Sequence, residues 1–192
     1  MAYGPAPGGL AVPSYVPIKS IEDLKNPEVA AMLGGKIIGI DAGSGIMMKT
    51  KAVQGAYGLD MELVTSSGAA MAAAFKSAYD AKKPIVVTGW CPTSMCAIYG
   101  IKFLEDPKKI YGDARSWHVA RLGFRTDCPR ALTFLSRFTL VEGQMSKMLA
   151  WIDSEGMKPE AAAARFVDEN PDLIWYMIGD LAPNTTKPKA LD

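Results

Sequence analysis

The middle of the chain alternates between short runs rich in Ile and Val and longer segments of helical composition. The apolar runs have the length of strands, and Gly or Pro marks the boundaries between segments. Strands that alternate with helices of this length are typical of βαβ units, which build parallel sheets with right-handed crossovers. The pattern predicts an α/β fold with strands over 36–41, 61–66 and 84–90 and helices over 45–58 and 67–83.

The segments before this core carry weaker signals. Residues 9–16 are predicted as a short strand interrupted by Pro13, which we expect at an edge of the sheet or in a connection. A Ser-x-x-Asp box at Ser20 predicts a helix start for residues 20–33, and Pro27 splits that segment.

Beyond residue 100 the pattern changes. Short strands around a turn are predicted over 101–112 and 117–124, followed by helices over 128–138, 142–155 and 159–170. We therefore expect a parallel or mixed sheet flanked by helices, with a C-terminal helical annex.

The length of 192 residues fits one domain or one and a half, with a core of its own. Residues 1–8 are rich in Gly and Pro and are predicted to be disordered. The polar segment 181–192 is predicted to be a mobile tail, which leaves a single α/β ligand-binding lobe over 9–180.

The composition excludes several classes of function. The net charge is +1 with the two signs mixed along the chain, whereas a surface for nucleic acid or anionic membrane needs a basic stripe. No apolar run approaches the roughly 20 residues that span a bilayer. The first residues, MAYGPAPGGLAVPSY, show neither the basic nor the apolar region of a signal peptide.

The three cysteines, Cys91, Cys96 and Cys128, are an odd number and do not form a disulfide framework. Cys91 and Cys96 lie five residues apart, which is not a C-x-x-C redox or zinc spacing. We expect small buried thiols, and a disulfide between Cys91 and Cys96 is the alternative.

Ligands of open α/β sheets bind beyond the carboxyl ends of the strands, and the first such end here is Asp41-Ala-Gly-Ser-Gly-Ile. Gly43 and Gly45 would let the backbone turn sharply after the strand. The N–H groups of Gly45 and Ile46, next to Ser44, would then point outward at a helix start and suit a carboxylate. A tight turn with nothing bound is the alternative.

The second unusual strand end is VVTGWCP, where Trp90 follows a buried strand directly. An exposed indole at the rim of a sheet commonly stacks on a ligand or a cation. The alternative is that Trp90 packs under the helical annex. Together, the two ends suggest a zwitterion whose carboxylate meets the helix start and whose cation meets Trp90.

Other candidates for chemistry are weaker. His118 lacks partners at catalytic spacing and is predicted to be structural, and Asp41 is expected to pair with backbone N–H groups of its turn. Ser44 and Ser66 do not lie in the G-x-S-x-G turn of serine hydrolases. Since no acid–base pair or metal-ligand set emerges, we predict a protein that is not an enzyme and needs no cofactor or metal.

Several blocks in fixed order resemble the substrate-binding proteins of glycine betaine/proline-type ABC transporters, the OpuAC-like family. The resemblance runs from about Gly9 to Leu173. The blocks are GLAVPSYV, IKSIEDLK, GKIIGIDAGSGIM, YGLDMELVTSSGAAMAAAFKSAYDAKKPIVVTGWCP, IKFLEDPKKIYG and ARFVDENPDL.

The resemblance implies a lobe of the type II class of periplasmic binding proteins, which close like a hinge on glycine betaine, proline betaine, carnitine or choline. Such proteins act in the periplasm or outside the cell and deliver the solute to an ABC permease in the membrane. Carried onto this sequence, the resemblance implies that the Gly45 and Ile46 amides bind the carboxylate. Trp90 would form one wall of an aromatic cage around the quaternary ammonium.

The chain departs from the family pattern in two respects. The family continues Trp-Thr-Pro-His-Trp where this chain has Trp90-Cys91-Pro92-Thr93-Ser94. The family also has a second lobe of comparable size. Either this chain is a fragment of a two-lobed protein, or a separate chain or a second copy in a homodimer completes the cleft. The competing hypothesis is a truncated lobe that binds no solute and serves as a structural or oligomeric module.

Overall fold

The computed structural model describes residues 3–112 and 114–181. The chain forms two compact units: Pro7–Ala114, and a second unit that combines the residues from Arg115 onward with those before Pro7. This differs from the single lobe expected over 9–180, because each unit buries its own apolar cluster. Strand β1, Tyr3–Ala6, lies within the lead expected to be disordered. The predicted tail lies outside the described residues except for its first residue.

The first unit is built on a mixed five-stranded sheet. Its central strands β3 and β5 are parallel neighbours, β4 is parallel to β3, and β2 runs antiparallel to both β5 and β6. The predicted parallel core is therefore confirmed. The order across the sheet is β4-β3-β5-β2-β6, with β2 Gly8–Pro13, β3 Lys36–Ile38, β4 Glu62–Val64, β5 Val87–Trp90 and β6 Ile101–Phe103.

Strand β2 corrects one expectation, because it pairs on both sides and is neither an edge strand nor a connection. Pro13 is compatible with this position since it is the last residue of the strand, where a missing N–H costs little. Its carbonyl accepts a hydrogen bond from the Val16 N–H at 3.0 Å, which starts the following turn.

The helices of the first unit cover both faces of the sheet. Val53 and Tyr57 of α2 pack in one apolar cluster, while Met71 and Phe75 of α3 pack in the other. Right-handed crossovers on either side of β4 account for this arrangement. The helices are a 3₁₀ helix, Ile21–Lys25, and α1 Pro27–Met32, α2 Gly45–Tyr57, α3 Gly68–Asp80 and α4 Ser94–Ile98.

The predicted helix start at Ser20 is confirmed as a capping box. The Ser20 hydroxyl accepts from the Glu22 N–H at 3.2 Å, and the Asp23 carboxylate accepts from the N–H groups of Ser20 and Lys19 at 2.9 and 2.7 Å. These two backbone hydrogen bonds hold the pKa of Asp23 below its usual value, because they favour the charged form. Pro27 then starts α1 as a separate helix.

The second unit consists of a two-stranded sheet and five described helices around Trp151 and Phe166, which are buried. The three helices predicted after residue 128 are confirmed, and α9 was not predicted. The elements are β7 Ala114–Ser116, which pairs with β1, and α5 Phe124–Asp127, α6 Pro129–Arg137, α7 Glu142–Glu155, α8 Pro159–Glu169 and α9 Pro171–Ile178.

The strand predicted over 117–124 is wrong. The strand lies earlier, at Ala114–Ser116, and α5 begins at Phe124. Val119 is 90% exposed and Leu122 is 98% exposed, so the apolar residues of this run are not the buried face of a strand.

The helices formed by residues 3–112 and 114–181 include none with both the length and the hydropathy of a membrane span.

Two fully buried threonines of the first unit differ in their hydrogen bonds. Thr50 donates to the Ile46 carbonyl at 2.8 Å and lies 2.8 Å from the Tyr111 hydroxyl, whereas the Thr88 hydroxyl has no partner among the described residues. We expect Thr50→Val to destabilise the fold by about 1–3 kcal/mol, since it leaves the Tyr111 hydroxyl unpaired. Thr88→Val should be neutral or stabilising. Urea unfolding monitored by circular dichroism measures both, and an equal loss in the two variants would contradict this account.

The capping box predicts a pH dependence. The pKa of Asp23 is lowered in the folded chain, so its stabilisation is complete above the unfolded pKa of about 4 and is lost as the pH falls through the folded value. Asn resembles the protonated acid, and Asp23→Asn should therefore destabilise the fold at about pH 7 but not at about pH 2. Urea midpoints at both pH values check this. Glu22→Gln is the control, since it removes a charge from the same turn but leaves the cap bonds; a pH-independent effect of Asp23→Asn would count against the assignment.

Candidate functional site

The two strand ends singled out in the sequence lie at the same edge of the sheet. Strands β3 and β5 are adjacent and parallel, with Ile38 opposite Val87, so both carboxyl ends face one edge. Beyond this edge β3 leads through the turn at Asp41 into α2, and β5 ends at Trp90. Such an edge is where open α/β sheets bind ligands.

The end of β4 is fixed to the same edge. The Ser66 hydroxyl donates to the Gly39 carbonyl at 2.5 Å, and the Ser66 N–H donates to the Ile40 carbonyl at 3.3 Å. Ser66 therefore has a structural role in the segment that leads to α2.

The start of α2 offers donors that the chain itself leaves unused. Ser44 is the N-cap residue, but within the described part of the chain its side chain makes no hydrogen bond to the first turn. Its hydroxyl is buried and has no partner among the described residues. The N–H groups of Gly45 and Ile46 have no acceptor within the helix, since a helix leaves its first four N–H groups unpaired. Together with the positive end of the helix dipole, these donors can hold an anion.

The sharp turn that the sequence assigns to Gly43 and Gly45 does not require glycine. Neither adopts a left-handed φ, and a Cβ atom built on either would meet nothing within 4 Å. The turn closes through an ordinary hydrogen bond, from the Ser44 N–H to the Asp41 carbonyl at 2.9 Å. What the two glycines provide is open space in front of the helix start.

Close packing at this turn occurs instead at Gly39. A Cβ atom on Gly39 would come within 2.3 Å, an impossible distance, of the Met47 sulfur. Met47 is fully buried in the first turn of α2. Gly39 therefore lets Met47 dock the start of α2 against the sheet.

Trp90 is 36% exposed at the end of β5. Gly89, the residue before it, faces Met95, and side chains alternate along a strand. Trp90 therefore projects from the opposite face of the sheet, which is the face that α2 covers with Val53. The residue opposite Trp90 is Gly8 in β2, and a Cβ atom on Gly8 would lie 3.5 Å from the Trp90 Cβ. Sequence analysis missed Gly8 because it lies in the lead that was expected to be disordered.

A pocket of about 310 Å³ adjoins Gly8 on the same unit. Its wall includes Tyr111, whose ring would lie 3.4 Å from a Cβ atom on Gly9. Burial raises the pKa of Tyr111 far above its usual value, so the hydroxyl stays neutral. The Asp106 carboxylate links the loop that carries Tyr111 to α2. It accepts hydrogen bonds from the Tyr57 hydroxyl at 2.6 Å and from the Tyr111 N–H at 2.9 Å.

The loop after Trp90 is closed by a disulfide between Cys91 and Cys96, so the expectation of two free thiols there is wrong and the alternative is confirmed. Cys128 is free, as expected. Inside the loop the Thr93 hydroxyl donates to the Trp90 carbonyl at 3.2 Å. The sequence analysis did not single out Thr93. The signal that could have found it is its position as the N-cap residue of α4, directly before Ser94.

The weaker candidates are structural. His118 Nε2 lies 3.0 Å from the Phe138 carbonyl, and its ring meets the Phe138 ring edge to face. Asp41 contributes its backbone carbonyl to the turn, rather than the carboxylate as expected.

Comparison with known proteins identifies the family. Residues 3–169 match the substrate binding domain of the ABC-type glycine betaine transport system, which is more than half of the chain. This chain belongs to that family. The expected lobe of a type II periplasmic binding protein is thus confirmed, and so is the expectation that the chain is not an enzyme, since the family consists of substrate-binding domains of transporters.

The chain is 41% identical over 142 residues to the glycine betaine/carnitine transport binding protein GbuC of Listeria monocytogenes serotype 1/2a (strain 10403S), a match that covers 72% of this chain. Lactococcal OpuAC, in its closed-liganded conformation with glycine betaine, is 32% identical with a TM-score of 0.77 over 92% of this chain and 68% of its own. An ABC-transporter choline binding protein in complex with choline is 25% identical, with a TM-score of 0.72 over 95% of this chain and 66% of its own.

The chain spans only about half of the curated relative, since the match covers 47% of GbuC. The site described above is therefore one part of what a full-length relative contains.

The unused cap at Ser44 predicts an unusual response to mutation. Ser44 and Ser67 both cap helices of 13 residues, but only the Ser67 hydroxyl accepts a bond from the first turn, from the Ala70 N–H at 3.1 Å. We expect Ser67→Ala to cost about 0.5–2 kcal/mol of stability and Ser44→Ala to be neutral or stabilising, because no cap bond is lost and a buried hydroxyl without a described partner is removed. Urea unfolding of the two variants measures the difference. A loss at Ser44 as large as that at Ser67 would show that Ser44 caps α2 after all.

Proposed function

We propose that this chain binds a quaternary-ammonium compatible solute for an ABC transporter, with glycine betaine as the model ligand. The carboxylate lies on the N–H groups of Gly45 and Ile46, and the Ser44 hydroxyl donates to it as well. The ammonium head lies on the face of the Trp90 indole. Proline betaine, carnitine and choline belong to the same class of solute.

The observation that supports this proposal most directly is the parallel pairing of β3 and β5. Because the strands are parallel neighbours, the start of α2 and Trp90 both follow strand ends at the same edge of the sheet. The space in front of Gly43 and Gly45 is open, so a ligand can approach the amides.

The chemistry of the two groups suits a betaine. A quaternary ammonium keeps its charge at every pH and has no N–H to donate, so an aromatic face is its natural partner. A carboxylate accepts several hydrogen bonds, which unpaired amides at a helix start supply. Recognition of this kind requires preorganised partners and no bond-making step.

The relatives provide independent support. GbuC is a glycine betaine/carnitine transport binding protein, and the solved relatives hold glycine betaine in one case and choline in the other. We extend this class of ligand to the present chain. Delivery to an ABC permease, outside the cytoplasmic membrane, is part of the same proposal.

One indole leaves the rest of a bound cation open to water. We propose that a second lobe covers it, supplied by more of the same polypeptide, by a separate chain or by a second copy in a homodimer. The match covers 47% of GbuC, so GbuC contains residues beyond those matched here.

Calorimetry with glycine betaine and with choline tests the proposal. An exposed cation–π contact contributes about 0.5–1 kcal/mol, so Trp90→Ala should weaken binding of both ligands about 2–5-fold. Gly45→Ala places a methyl group in the open space at the helix start and should weaken glycine betaine more than choline, which lacks a carboxylate. Gly55→Ala, in the exposed middle of the same helix, is the matched control and should leave both affinities unchanged. Equal heats for the wild type and Trp90→Ala would refute the proposed site.

The competing function is a structural or oligomeric module that binds no solute. Its support is the exposed apolar run of the second unit, with Trp117 at 65%, Val119 at 90% and Leu122 at 98% exposure. Exposed apolar patches commonly mark protein interfaces. Light scattering after size exclusion separates the two functions, because a dimer without ligand heat favours the module and a monomer that binds glycine betaine excludes it.

A further inference from the structure

We propose that the Cys91–Cys96 disulfide is the element that positions the Trp90 indole for its ligand. This inference deepens the proposed function, and its consequence for ligand affinity rests on that function. Its structural part concerns the orientation of one side chain and can be tested without any ligand.

The disulfide joins two segments that are each fixed to the core of the first unit. On the strand side, Cys91 is buried and its N–H donates to the Pro7 carbonyl at 2.8 Å, next to the pairing of Gly8 with Trp90. On the helix side, Met95 is 6% exposed and packs among Met47, Met71 and Phe75. The covalent link therefore fixes the end of β5 relative to α4.

Two hydrogen bonds stiffen the loop, and one of them reaches Trp90. The Thr93 hydroxyl donates to the Trp90 carbonyl at 3.2 Å, and the Cys96 N–H donates to the Thr93 carbonyl at 3.1 Å. These bonds and the disulfide leave the backbone that follows the indole little freedom.

The indole needs this support because its cross-strand neighbour provides none. The residue opposite Trp90 is Gly8, which has no side chain to pack against a ring, whereas cross-strand side-chain pairs are the usual means of ordering a strand residue. Trp90 is also the last residue of its strand and is 36% exposed. The direction of the Trp90 Cα–Cβ bond, from which the ring extends, therefore depends on the backbone of residues 90–96, which the disulfide closes.

An aromatic wall that is already in place binds more tightly than one that must be ordered by the ligand. If opening the loop lets the indole leave its orientation, the affinity for a ligand on the indole falls by up to about 2–5-fold, which is all that the exposed cation–π contact contributes. Because the effect acts only through Trp90, it should disappear when that side chain is removed.

The first experiment follows the indole N–H signals of the four tryptophans in ¹⁵N-labelled protein by NMR, with Trp90→Phe to assign the signal of position 90. Oxidised wild type is compared with Cys91→Ser/Cys96→Ser and with wild type treated with dithiothreitol. In that treatment the reagent passes two electrons and two protons to the S–S bond, which becomes two thiols, while the reagent closes to its own cyclic disulfide. Cys128→Ser is the control for removal of a thiol.

We expect the Trp90 signal to shift or broaden when the disulfide is opened, with the signals of Trp117, Trp151 and Trp175 unchanged. An unchanged Trp90 signal would overturn the proposal. So would a common change in all four signals, since that would indicate a general loosening of the fold. The dithiothreitol arm keeps the test valid if the double variant does not fold.

The second experiment is a double-mutant cycle measured by calorimetry with glycine betaine. Opening the disulfide should weaken binding in the wild type by up to about 2–5-fold, the full contribution expected of the Trp90 contact, and should have no effect in Trp90→Ala. Equal losses in both backgrounds would overturn the proposal. If oxidised wild type binds no glycine betaine, the proposed function fails, and the NMR comparison alone then decides whether the disulfide positions Trp90.

Discussion

The parallel pairing of β3 with β5 is the constraint on which the rest of the first unit depends. The pair is held at its centre by the Ile38 N–H, which donates to the Val86 carbonyl at 3.0 Å. Val86 and Val87 are both fully buried and project into the two apolar clusters on opposite faces of the sheet. A parallel pair buried on both faces cannot slip in register without exposing one of these clusters. The edge beyond the pair is therefore a rigid place for a binding site.

The same edge carries the groups that are costly for stability. The Ser44 hydroxyl is buried without a partner among residues 3–112 and 114–181, and Trp90 is partly exposed to water. An unsatisfied buried hydroxyl costs about 1–3 kcal/mol, which is a substantial part of the 5–15 kcal/mol that typically stabilises a domain. Their concentration at one strand edge is what a preorganised binding surface looks like, because the donors wait for a ligand that the chain itself does not provide.

The loop after Trp90 shows how a small covalent constraint can replace packing. Trp90 has no side chain opposite it in β2, since that position is Gly8. The Cys91–Cys96 disulfide and the Thr93 hydroxyl fix the backbone instead. An open cross-strand position next to a backbone that is closed by a disulfide suits the cation-binding wall proposed for Trp90.

The sequence by itself determined the elements whose signals are local. The alternation of Ile- and Val-rich runs with helices gave β3, α2, β4, α3 and β5, and the box at Ser20 gave the 3₁₀ helix. It also indicated that the carboxyl ends at Asp41 and Trp90 are unusual, because a glycine-rich turn and a terminal indole are visible in the residues alone. The sequence blocks that resemble the family predicted the class of fold.

Only the tertiary structure decided what depends on neighbours from distant parts of the chain. β2 is an interior strand because β5 and β6 pair with it from residues 87 to 103, and no local pattern shows that. Gly39, rather than Gly43 or Gly45, is the required glycine because Met47 folds back against it. The open space at the start of α2 and the bare position opposite Trp90 also appear only in the folded chain. For Cys91 and Cys96 the sequence left two alternatives, and the structure decides for the disulfide.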